Sequence, residues 1–120
     1  VNACPVNAID KKMRVINTKL CLSQQTQEKE TVNEIVKEKI ISTKYIYGCD
    51  ICQEICPWNK EKRGFNPLFN PKREEVFIDL EELILESNSS FKNKYGHLAG
   101  SWRGKKTWQK NGKMILLNSN

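Results

Sequence analysis

Five cysteines carry the chemistry available to this 120-residue chain, at positions 4, 21, 49, 52 and 56. Three fall in the run Cys49-Asp50-Ile51-Cys52-Gln53-Glu54-Ile55-Cys56-Pro57, a C-x2-C-x3-C-P spacing, and a second Cys-Pro pair stands at Cys4-Pro5. Thiolates are soft ligands, and a two-residue gap lets neighbouring sulfurs face one metal centre. An odd number of cysteines, with no apolar secretion segment opening the sequence, argues against a disulfide framework. A zinc knuckle at Cys49 and Cys52 would use the same C-x2-C spacing, but zinc offers no reason for two separate Cys-Pro units.

Those two units look like the closing ends of two copies of the bacterial ferredoxin motif C-x2-C-x2-C-x3-C-P. In that motif three thiolates hold one 4Fe-4S cube and the fourth, before proline, crosses to another. On this reading Cys4, Cys21, Cys49 and Cys52 form one complete cluster site, and Cys56 belongs to a second whose other ligands precede Val1. The third cysteine of the first copy would fall one position before Val1, so the chain reads as a fragment of a longer protein. Twenty-seven residues separate Cys21 from Cys49, which excludes a plain small ferredoxin. Asp50 reads as a turn residue, Trp58 as packed on a neighbouring helix and His97 as structural, and no catalytic residue is assigned.

Twenty Lys and Arg against fourteen Asp and Glu leave a net charge of +6. The stretch 91–120 holds seven of these cations, Lys92, Lys94, Arg103, Lys105, Lys106, Lys110 and Lys113, and no acid. Such a run is either a solvated face or a surface for a polyanion such as RNA. Trp102 and Trp108 interleave with the cations as single-strand RNA readers do, although tryptophans in a helical stretch are more often core. The longest apolar runs, such as 83–85 and 114–117, fall far short of the roughly 18 residues that a membrane span requires. A soluble, cytoplasmic monomer with no membrane partner is expected.

The elements that must position the cysteines are short. Ala8-Ile9 and 13–16 read as two strands about the turn 10–12, with Thr18 as N-cap of a short helix carrying Cys21. Val32, Ile35, Val36 and Ile40 recur at helical spacing in the charged stretch 28–39, predicting an amphipathic helix. Asn66-Pro67 and Asn70-Pro71 mark a turn-rich connection. Beyond it, Asp79 with Glu82 has the form of a capping box, for a helix burying Leu80, Leu83 and Ile84 and ending near Asn88. A further helix after Ser90 pairs Phe91 with Tyr95, and a last one runs over 107–117 with Gly112 inside it. The class expected is α+β: a partial ferredoxin-like 4Fe-4S domain over 1–63, then a mainly helical segment over 64–120.

With these motifs in place the chain resembles the epoxyqueuosine reductase family. The resemblance rests on Ala3-Cys4-Pro5 with Ala8-Ile9, Cys21-Leu22-Ser23 with Thr26 and Glu28, the run from Tyr47 to Lys60, and Gly100-Ser101-Trp102-Arg103-Gly104-Lys105-Lys106 through Asn111. It implies an oxidoreductase of tRNA queuosine synthesis, in which two 4Fe-4S clusters pass electrons to a cobalamin bound upstream of these residues, so the fragment alone is not expected to be active. It implies tRNA and an electron donor as partners, without assigning the contacts; Arg103, Lys105, Lys106 and Lys110 of the basic run are the candidate tRNA contacts. Gln24, Gln25 and Gln27 depart from the family's apolar and aromatic pattern there, so looser packing or exposure is expected beside Cys21. The rival readings are a 4Fe-4S electron-carrier domain of another redox complex and a zinc-stabilised nucleic-acid-binding module.

Overall fold

The structure, a computed structural model, describes residues 2–30, 33–60 and 72–119. The expected boundary at 63/64 and the Asn-Pro pairs at 66–67 and 70–71 lie outside the described residues. The α+β class holds, as one two-stranded ribbon followed by helices. Strands β1 (Ile9–Asp10) and β2 (Val15–Ile16) pair antiparallel, with Ile9 opposite Ile16 and Asp10 opposite Val15. Asp10 Oδ1 accepts from the N–H groups of Lys12 and Met13, both at 2.8 Å, which reverses the chain.

Helix α1 (Leu22–Gln25) is a single turn, and Cys21 itself occupies the N-cap position expected for Thr18. The N–H groups of Leu20 and Cys21 are taken by the Asn17 carbonyl, so the chain coils before the helix begins. Helix α2 (Glu34–Thr43) starts later than the hydrophobic pattern suggested, because Asn33 Oδ1 accepts from the Val36 N–H at 3.2 Å and sets the cap there. Val36 and Ile40 are fully buried on it, whereas Ile35 is 57% exposed and Val32 lies outside the described residues. One turn, α3 (Ile51–Glu54), follows Asp50.

The remaining elements are α4 (Arg73–Val76), α5 (Leu80–Leu85), α6 (Asn88–Tyr95), a 3-10 turn over Ala99–Arg103 and α7 (Lys105–Leu117). Asp79 Oδ1 accepts from the Glu82 N–H at 2.9 Å as expected, while the Glu82 carboxylate pairs with Lys94. Ser87 Oγ accepts from the Ser90 N–H at 3.0 Å and opens α6 ahead of the predicted start, which ends α5 before Asn88. Among the described residues no helix is long and apolar enough to cross a membrane.

Two buried clusters meet along α7. Val6, Ala8, Leu22, Val36, Ile40 and Ile115 form one; Leu83, Phe91, Tyr95 and Trp108 form the other, with Ile46 and Leu80 packed against both. Ile115 therefore completes a cluster otherwise built from residues before 41. The aromatic rings of the second cluster lie 5.2–5.5 Å apart, the Phe91–Trp108 pair edge-on at 89°.

Two glycines distinguish tight from tolerant packing. A Cβ on Gly100 would stand 2.8 Å from the rings of both Trp108 and Tyr47, whereas one on Gly112 would meet Leu83 and Leu80 methyls at 3.4 and 3.5 Å. Gly112→Ala is therefore expected to stabilise the fold by about 0.5–1 kcal/mol through helix propensity. Gly100→Ala is expected to destabilise it by about 1–3 kcal/mol through overpacking. Urea unfolding midpoints of the two variants check both signs.

Candidate metal centre

Cys4, Cys21, Cys49 and Cys52 line one pocket, whose other walls are Pro5, Val6, Ala8, Ile9, Ile16 and Leu22. The ribbon register explains part of this wall, since Ile9 and Ile16 are directly paired across the strands. Among the described residues no charged side chain lines it.

The sulfurs arrive on three separate segments. Cys4 sits in a turn closed by the Asn7 N–H on the Cys4 carbonyl at 3.1 Å, with Asn7 itself at φ 50. Its Sγ accepts from the Ala8 N–H at 3.2 Å. Cys21 opens α1, and Cys52 lies within α3. Cys49 follows Gly48, which holds φ 74, a left-handed conformation that a side chain would strain.

All five cysteines are free thiols and half-buried. Burial pushes the Cys49 thiol up, and the neighbouring Cys52, Cys21 and Cys4 push it further, against a backbone bond from Ile51 that lowers it. A cationic centre bound at the Cys49 sulfur would offset that burial and favour its thiolate. Among the described residues no three His, Cys, Asp or Glu converge as ligands of a single ion would. Four sulfurs spread around a pocket suit a cube that takes one thiolate at each iron, so the donor set fits a 4Fe-4S cluster.

Cys56 stands outside that pocket. Its N–H donates to the Gln53 carbonyl at 3.2 Å and its carbonyl accepts from the Asn59 N–H at 2.9 Å. Asp50 is a turn residue through its carbonyl, which accepts from Gln53 and Glu54 N–H groups, while its side chain makes no cap bond. Trp58 corrects its expectation: the turn past Pro57 leaves it 81% exposed instead of packed on a helix.

Two residues that spacing did not single out lie behind the pocket. Thr26 and Asn111 are both fully buried. Thr26 Oγ1 accepts from the Gly48 N–H at 2.9 Å and donates to the Ser23 carbonyl at 3.1 Å. Asn111 Nδ2 donates to the carbonyls of Thr26 at 2.7 Å and Ile46 at 2.8 Å. The available signal was a carboxamide on the buried stripe of α7 formed by Trp108, Asn111, Gly112 and Ile115. The glutamines near Cys21 are half-buried and locally bonded, with Gln24 on the Glu28 carboxylate at 2.5 Å and Gln27 on the Ser23 carbonyl at 2.9 Å, so the looseness expected there is not found.

The four basic candidates separate into two kinds. Arg103 and Lys106 are exposed, the former with its guanidinium 4.0 Å from the Trp102 ring centroid. Lys105 Nζ donates to the Glu86 carbonyl at 2.8 Å and Lys110 Nζ to the Glu28 carbonyl at 2.9 Å. Burial pushes the Lys110 ammonium down, partly opposed by the Glu28 carboxylate. The tryptophans divide likewise: Trp108 is core, and Trp102, expected as core, is 67% exposed. His97 pairs with Glu75 at 2.7 Å, consistent with a structural role.

Comparison with known proteins bears on this arrangement. Residues 1–59 match the 4Fe-4S double cluster binding domain family. A protein of Lactococcus garvieae (strain Lg2) named epoxyqueuosine reductase is 43% identical, over 100% of this chain and 34% of its own length. The crystal structure of a selenomethionine-labelled epoxyqueuosine reductase superposes with a TM-score of 0.83 at 38% identity, over 96% of this chain and 30% of that one. A crystal structure of epoxyqueuosine reductase with an epoxyqueuosine-modified tRNA-Tyr stem loop gives 0.80 at 37% identity, over 96% and 30%. The chain thus spans about a third of the length of the relatives it matches.

Proposed function

The chain belongs to the epoxyqueuosine reductase family, as a stretch about a third of its members' length, and on that premise we propose that it is the iron-sulfur part of a tRNA-modifying reductase that converts epoxyqueuosine to queuosine. What carries the proposal is the gathering of Cys4, Cys21, Cys49 and Cys52 on one apolar wall, inside the stretch that matches a double-cluster domain. In this reading those four cysteines hold one 4Fe-4S cluster and Cys56 supplies a ligand to a second. A cluster bound there supplies one-electron transfer. The Ala8 N–H on Cys4 Sγ would disperse negative charge on that sulfur once a cluster is bound, and Ile9, Ile16 and Leu22 supply part of the apolar wall.

The finer reading is that this part of the protein, fed by an electron donor, delivers electrons to a cobalamin bound outside these 120 residues, where the epoxide is reduced. The protein then acts as a cytoplasmic monomer, and no residue of this chain serves as a catalytic acid. The tRNA-bound relative supports a tRNA partner. The exposed cations Arg103 and Lys106 are the contacts proposed for it, while Lys105 and Lys110, tied to backbone carbonyls, fix helix α7 in place.

Anaerobic reconstitution of the chain with iron and sulfide, followed by iron counting and visible absorption, tests the ligand reading. About four irons are expected at the complete site, abolished by Cys52→Ala and largely retained in Cys56→Ala. A colourless protein with one zinc, or equal loss from both substitutions, would overturn it.

For tRNA, binding by the full-length reductase measured over a salt series should weaken with Arg103→Ala and with Lys106→Ala. Each should reduce the slope of log affinity against log salt by about 1. Lys110→Ala should leave that slope unchanged.

A further inference from the structure

We infer that Thr26 and Asn111, neither a metal ligand, are positioning residues for the cluster site, which makes α7 a working part of a centre whose cysteines all precede residue 57. The inference rests on the reading of Cys4, Cys21, Cys49 and Cys52 as ligands.

Two ligand segments have to be held in register across the pocket, and neither contains more than one helical turn. Thr26 terminates the turn that Cys21 opens, and Gly48 immediately precedes Cys49. The bond from the Gly48 N–H to Thr26 Oγ1 at 2.9 Å joins them directly. Asn111 then bonds both sides at once, giving one amide proton to the Thr26 carbonyl at 2.7 Å and the other to the Ile46 carbonyl at 2.8 Å. Hydrogen bonds fix direction and register, whereas the surrounding apolar contacts allow sliding. On the far side the same segment is pressed onto α7, with Tyr47 against Trp108 at 5.8 Å between ring centroids.

Simple core filling does not account for Asn111. Among the described residues its buried Oδ1 has no hydrogen-bond partner, so the carboxamide carries an unmet acceptor where an apolar side chain would carry none. What the carboxamide does and an apolar residue cannot is hold two backbone carbonyls, one on each ligand segment. Polar groups of this kind orient a metal's ligands, and their loss commonly costs about 10–100-fold in metal affinity.

The test compares Thr26→Val, Thr26→Ser and Asn111→Leu in the anaerobically reconstituted chain, with Leu83→Val as a destabilising control in the second core. Readouts are the electron paramagnetic resonance spectrum and potential of the reduced cluster, and the rate of iron loss to a chelator. Thr26→Val and Asn111→Leu are expected to change the spectrum and potential and to speed iron loss about tenfold. Thr26→Ser should keep the parent values, and Leu83→Val should leave spectrum and potential unmoved.

Parent-like spectra, potentials and iron loss in Thr26→Val and Asn111→Leu would overturn the inference. So would a control that shifts them equally, since fold stability alone would then explain the effect. If Asn111→Leu does not fold, the Thr26 pair decides. A parent chain that takes up no cluster overturns the ligand reading and this inference together, and is distinguished by appearing before any substitution is made.

Discussion

Four cysteine side chains share an apolar pocket, with no charged side chain lining it among the described residues, and the rest of the arrangement depends on that desolvation. Burial and three neighbouring sulfurs push the Cys49 thiol up. A centre of positive charge would favour its thiolate, and a metal group bound by these cysteines would couple ligation to the folding of this half of the molecule. The local structure is built to match. A two-residue ribbon, a one-turn helix and a glycine at φ 74 deliver the sulfurs, and none of these could persist alone.

The support they lack comes from the other end of the sequence. Helix α7 places Ile115 in the cluster formed by Val6, Leu22, Val36 and Ile40, and Trp108 in the cluster formed by Leu83, Phe91 and Tyr95. One helix thus spans both cores, with Leu83 and Leu80 of α5 lying over its Gly112. The basic run divides along the same line. Lys105 and Lys110 spend their ammoniums on the backbone of neighbouring segments, which is why a stretch with no acid still packs. Arg103 and Lys106 remain free to add positive potential at the surface.

The Asp79 cap and the Phe91–Tyr95 pair were legible because each spans one helical turn, and the C-x2-C spacing marked two of the cysteines that share a pocket. Errors arose where a local signal had a rival. The α2 pattern extended toward Glu28, but the Asn33 cap decided its start. Thr18 looked like an N-cap, yet the Asn17 carbonyl captured the following N–H groups and left the cap to Cys21. Trp58 and Trp102 had the composition of core residues, and only the turns beside them determined that they face outward. Thr26 and Asn111 both stand among the residues that carry the family resemblance, but nothing local joined them, because they lie 85 residues apart and polar bonds leave no periodicity.

That same long-range pair explains how a helix of ten residues can stand between two cysteines of one pocket. If chain length set the distance between Cys21 and Cys49, lengthening the interval would disperse the sulfurs, since loop closure alone gives no register. Here α2 leaves the site after Thr26 and returns before Ile46, and those two carbonyls are held by a single carboxamide. Val36 and Ile40 meanwhile bury α2 against the core behind the pocket, so the added segment contributes apolar area and leaves the sulfurs where they are. The interval can therefore grow at α2 while the pocket keeps its shape, provided the exit and return points stay bonded to α7.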